Sequence, residues 1–171
     1  GAAIALPASG VSMQELVQTT GHALTFTDGA AMWADQALMT LGAGAAVAFT
    51  EPLTLNGRLA VTAAGSAVVD LAALAGTGLY AQRGGRLVLT NAAAAACTVP
   101  LQLRNVELFE LGSGTHAFPF TAEDVVFAPM SGATAVVTPT ALRGLTRKTL
   151  VSTLEFKAGT DLSTVQDLRI G

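Results

Sequence analysis

The stretches "NGRLAVT" (Asn56–Thr62) and "GGRLVLT" (Gly84–Thr90) are near copies of one another within a short chain. Each enters through glycine, alternates apolar and polar positions, and runs out into small residues. Alternation over about five residues marks a half-buried strand. The same rhythm occurs in "ALTFT" (Ala23–Thr27), "AVAFT" (Ala46–Thr50) and "TAVVT" (Thr134–Thr138), so that five short runs end in Thr and then break. Thr suits this position, being a good strand residue whose hydroxyl can satisfy an adjoining turn. Further apolar runs predict strands at Ala37–Leu41, Ser66–Asp70, Gly78–Gln82, Cys97–Leu103, Asn105–Leu111, Thr115–Phe120 and Asp124–Phe127. Short strands recurring every ~8–12 residues predict an all-β fold.

The repeated phrase points to a parallel β-helix or solenoid, in which a coil of ~20–30 residues carries two or three short strands. If the two phrases are successive coils, Leu59 stacks under Leu87 and Val61 under Leu89. The run Ala92–Ala96 then reads as a tight corner, where small side chains let backbones approach. A β-sandwich or jelly roll is the alternative. One helix is expected: "SMQE" (Ser12–Glu15) has the form of a capping box, predicting a short helix over Met13–Thr20, ended by Gly21 and placed to cover one edge of the sheets. The organisation expected is an N-terminal segment (1–21), a solenoid domain (22–138), and a docking or oligomerisation segment (139–171) beginning at Pro139, where the strand rhythm stops. In that last segment, Leu150–Leu168 is expected to contact a neighbouring subunit or domain rather than close the same coil.

With 171 residues the chain can bury one sizeable core. It is 51% hydrophobic and 12% charged, about half the usual charged fraction, a composition opposite to that of disordered chains. Gln36–Thr50 is almost uncharged but broken by glycine, and shorter than the ~20 apolar residues of a spanning helix, so membrane insertion is not expected. A net charge of −3 argues against bulk nucleic-acid binding. Such poverty of charge implies surface hidden in an assembly, or a smooth outer wall of Ala, Thr, Ser and Gly. No Lys or Arg precedes Arg58, whereas Arg143, Arg147 and Lys148 cluster late. Cys97 is the only cysteine, so an internal disulfide is impossible, and its apolar setting reads as a buried thiol.

The stretch "GRLAVTAAGSAVVDLAALAGTGLYAQRGGRLVLTNAA" (Gly57–Ala93) resembles the Gly-, Thr- and Leu-rich repeats of autotransporter passenger domains and of β-helical bacteriophage tail fibres and spikes, although the Asn and Asp abundance common in passengers is missing. The resemblance implies an extracellular, virion or bacterial cell-surface fibre or stalk. It would be structural or adhesive rather than catalytic, and often a homotrimer.

The residues that could carry chemistry are few. "GTGLYA" (Gly76–Ala81) fits the dinucleotide fingerprint, but that motif works only between a strand and a helix, and here a strand is expected to follow. His22 and His116 are the only histidines, and no His or Cys spacing offers the three or four ligands of a zinc site. No cofactor or metal is expected. Among Asp70, Glu107, Glu110, Glu123 and Asp124, no single strand offers a glycosidase pair, because neighbouring acids point to opposite faces. A cross-coil pair such as Asp70 with Glu107 stays open, and with it a carbohydrate-active β-helix. Trp33, Tyr80, Arg143, Arg147 and Lys148 are the candidate contacts for a partner, either a host-surface glycan or a neighbouring fibre protein. The function expected is assembly and host-surface binding in a bacteriophage tail fibre or spike. A bacterial passenger adhesin is the alternative.

Overall fold

A computed structural model describes residues 1–19, 21–29, 31–90, 99–116, 120–123, 125–133, 135–137, 145–146, 149–151, 155–156 and 168–170. The strands are β1 (Ala2–Ala5), β2 (Val11–Gln18), β3 (Ala23–Thr27), β4 (Ala31–Leu41), β5 (Ala46–Phe49), β6 (Leu53–Leu55) and β7 (Arg58–Ala63). They continue as β8 (Val68–Leu71), β9 (Leu74–Gly76), β10 (Leu79–Arg83), β11 (Arg86–Leu89), β12 (Leu101–Arg104), β13 (Leu108–Leu111) and β14 (Gly114–His116). The last are β15 (Phe120–Glu123), β16 (Val126–Pro129), β17 (Ala135–Val137), β18 (Leu145–Thr146), β19 (Thr149–Val151), β20 (Glu155–Phe156) and β21 (Leu168–Ile170). Every pairing among these described strands is parallel. Parallel neighbours joined by such short connections can only be successive rungs of a coil, so the chain is an all-β parallel solenoid.

The coil has three faces. The first is a nine-stranded sheet in the order β1-β3-β5-β8-β11-β13-β16-β19-β21. The second begins with the front halves of β2 and β4 and passes to β6 and β9. At the same place in later coils, between the first and third faces, β14, β17 and β20 pair with one another. The third face joins the back halves of β2 and β4 to β7, β10, β12, β15 and β18. β4 serves two faces because the chain turns at Asp35–Gln36, where Gln36 takes φ +55°. The strands described beyond Pro139 add rungs to these same ladders.

Stacking fills the interior with columns of like-facing side chains. On the first face Val47, Val69, Leu87 and Phe109 succeed one another rung by rung, all fully buried. Beside them run Phe26, Phe49, Leu71, Leu89 and Leu111. The rings of Phe26 and Phe49 stack with centroids 4.9 Å apart and planes 11° from parallel, which is the strand spacing itself. On the third face Ala37, Leu59, Tyr80 and Leu101 form the corresponding column. Each buried Val, Leu or Phe contributes roughly 1.5–3 kcal/mol relative to exposure.

Two expectations are corrected. Leu59 and Leu87 do not share a column: Leu59 lies on the third face under Tyr80, and Leu87 on the first between Val69 and Phe109. Val61 and Leu89 are likewise on different faces. The repeated phrase is thus two strands of different faces leaving similar corners. At one corner Gly57 and Gly78 stack so closely that a Cβ on Gly78 would collide with the Gly57 carbonyl oxygen. At the other, Gly84 and Gly85 adopt φ +77° and +61°, which glycine alone takes without strain.

The second correction concerns the N-terminus. Of the expected helix, Met13 to Gln18 form a strand, and no helix occurs among the described residues. The segment is β2, paired with β4 through a register shift between Met13 and Glu15. Across it β2 advances two residues while β4 advances five, and at this corner Gln14 and Glu15 are both exposed, so that Met13 and Leu16 both pack against the core although three apart. Their spacing mimics one face of a helix. The Ala92–Ala96 corner and Cys97 lie outside the described residues.

Candidate functional site

The third face carries outward columns as regular as the inward ones. One runs Ala60, Ala81, Gln102, Thr121, and the next Thr62, Arg83, Arg104. Between them lies a groove of about 390 Å³. Its floor is contributed by Val61, Gln82, Leu103 and Ala122; their side chains are buried, so what they present outward is main chain. Its walls are Ala81, Gln102 and Thr121 on one side and Arg83 and Arg104 on the other, with Arg58 at one end. The groove therefore runs across the strands, along the solenoid axis. Arg58, Arg83 and Arg104 are all exposed.

Below the floor sits a polar knot. Gln82 takes an inward position between Val61 and Leu103. The Tyr80 hydroxyl donates to its Oε1 at 2.5 Å, and its Nε2 donates to the carbonyls of Gly84 at 2.9 Å and Arg86 at 3.3 Å. The buried amide is thereby satisfied and ties β10 to the corner leading into β11. Burial pushes the Tyr80 phenol above its ordinary range, keeping it a neutral donor.

The aromatic candidates are corrected by the same burial. Trp33 and Tyr80 are both fully enclosed and present no ring to a glycan from the surface. Trp33 packs its edge on Phe49, centroids 6.3 Å apart at 75°. Arg143, Arg147 and Lys148 lie outside the described residues. "GTGLYA" spans the corner from β9 into β10, so a strand follows the glycines and the helix N-terminus that a pyrophosphate requires is not there.

The acids also separate. Glu107 is exposed at the corner before β13, not in line with Asp70. On the outer side of the first face, Asp70, Val88 and Glu110 form one column, so Asp70 and Glu110 stand two strand spacings apart, about 9.6 Å between backbones. Partial burial, and then the Glu110 charge, hold the Asp70 carboxyl above the ordinary carboxylate range. Glu110 is engaged by Arg86, Nη2 to Oε2 at 2.7 Å. Among the described residues, no group of three or more His, Cys, Asp or Glu could hold a metal ion.

Sequence reading overlooks the groove arginines. Arg83 and Arg104 each fall one residue past the end of a strand read from the sequence, and their separation has no meaning until the coil length on that face is known. No protein-family model matches the chain, and neither do any curated protein or solved structure.

Proposed function

We propose that this chain is a non-catalytic structural and adhesive segment of an extracellular fibre, of the bacteriophage tail-fibre or spike kind, assembling as a homotrimer on a virion or cell surface. The observation that carries the reading is the uninterrupted parallel stack. Each rung buries its apolar columns against the next, which makes a rod whose length grows by repetition. Parts of the outer columns favour the same use: Ala60, Ala81, Thr40, Thr62 and Thr121 are small and neutral, leaving stretches beside the arginines that cost little to desolvate. Val17 on β2 and Leu38 on β4 are 54% and 50% exposed on neighbouring rungs of the third face, apolar surface of the sort that subunit contacts cover.

Sedimentation equilibrium of the purified chain tests this. The expected result is a single associated species at the mass of three chains, shifted towards monomer by Leu38→Lys. A wild type that stays monomeric at every concentration overturns the assembly reading.

A further inference from the structure

We propose that a second copy of this chain lies alongside the first, its third face seated on the outer side of the first face rung against rung, with Arg58 of one copy paired to Asp70 of the next. The proposal rests on the assembly reading above and gives that contact its two surfaces.

The outer side of the first face is patterned for cover. Its two outward columns begin Ala23, Ala46, Val68 and Thr25, Ala48, Asp70, and Val88 and Leu108 follow on later rungs. Strands such as "AVAF" and "VVDL" are therefore nearly continuous apolar runs, the pattern of parallel strands buried on both sides. Asp70 interrupts this surface. Its carboxyl is partly buried and stands near Glu110, whose cation, Arg86, is engaged with Glu110 itself. An acid so placed gains from a cation brought by a partner.

The third face supplies one. Arg58 is exposed, and among the described residues it forms no ion pair. It opens β7, and Asp70 lies on β8, the next strand of the same coil. A rotation about an axis parallel to the solenoid, without axial shift, thus brings Arg58 of one copy level with Asp70 of its neighbour. Absence of shift is what a closed ring demands, since a shifted heterologous contact runs on into a filament. The same alignment matches large side chains to small ones. Val17 on β2 and Leu38 on β4 are half exposed, and they come level with Ala23 and Thr25 on β3, and with Ala46 and Ala48 on β5. One rung on, the small Ala60 comes level with Val68. Facing shapes of this kind pack as closely as a protein interior. Both halves of the match belong to one chain, which singles out a second copy as the occupant.

Sedimentation equilibrium of charge-reversal variants of the full chain tests the contact. Arg58→Asp and Asp70→Arg each put like charges across it and should each weaken association about tenfold or more, with an unchanged far-ultraviolet spectrum. The Arg58→Asp/Asp70→Arg double variant restores opposite charges and should recover wild-type association to within about threefold. Where a reversal unfolds the chain, Arg58→Ala and Asp70→Ala carry the same test, their losses failing to add in the double variant. Association unaltered by either reversal, a double variant no better associated than the singles, or additive alanine losses overturns the proposal. Association that answers to Leu38→Lys and not to the reversals also overturns it, because another surface of the copy then covers Leu38. A monomeric wild type removes the assembly reading and this contact together, whereas an associated wild type indifferent to the reversals removes the contact alone.

Discussion

Leu87→Asp is expected to abolish the folded state at room temperature or leave it only marginally populated. Leu87 is fully buried, with Val69 on the rung before it and Phe109 on the rung after. An aspartate there has no cation within its column, and an unpaired buried charge costs several kcal/mol, against total stabilities of about 5–15 kcal/mol. In a solenoid the damage propagates, because each rung is held mainly by its neighbours. Urea unfolding followed by far-ultraviolet circular dichroism checks this. A midpoint within the error of wild type would mean that Leu87 does not face the interior.

Phe49→Ala comes next in size, with an expected loss of about 3–5 kcal/mol. Phe49 stacks on Phe26 and receives the edge of Trp33, so truncation removes a large apolar side chain and two aromatic contacts together. Because Trp33 is the only tryptophan, its fluorescence reports the site directly. Emission should shift to longer wavelength as the indole loses its packed neighbour, and the denaturation midpoint should fall. Unchanged emission with wild-type stability would contradict the packing of the first and second faces around Phe49.

The strands are legible in the sequence because their signal is local. Alternation in "RLAVT" or "AVAFT" follows from one face of each strand being buried, whichever neighbour it pairs with. The coil length is not legible, because corners differ in size: on the first face the step from Val69 to Leu87 is visibly shorter than the step from Phe127 to Val151. No fixed period survives such variation, and the inward columns of the third face mix Ala, Leu, Tyr and Gln. The one conspicuous repeat misleads because it records a shared corner chemistry, glycine followed by an outward Arg and an inward Leu, on two different faces. The helix at Met13–Thr20 misleads for a related reason. An irregularity in β2 and the bend in β4 at Asp35–Gln36 place residues three or four apart on one buried side, as Met13 with Leu16 and Trp33 with Ala37.

The site is less legible than the fold. Trp33 and Tyr80 stand out as large amphipathic aromatics, yet the interior claims both, Tyr80 by supplying the hydroxyl that satisfies Gln82. Gln82 itself reads only as the end of a strand, since a lone Gln carries no mark of burial. The groove arginines are ordinary surface residues until register sets Arg83 beside Arg104.

The central claim is that successive rungs are parallel, with Ala60 and Ala81 as registered neighbours, and paired cysteines test it most directly. In a Cys97→Ser background, Ala60→Cys with Ala81→Cys places thiols on adjacent rungs of the third face, about 4.8 Å apart and within the Cα range a disulfide accepts. Ala60→Cys with Val88→Cys instead reproduces the spacing of the repeated phrase, across two different faces. Under dilute oxidation, thiol titration should show the first pair closing within one chain and the second remaining free. Closure of the second pair and not the first would contradict the stacking described.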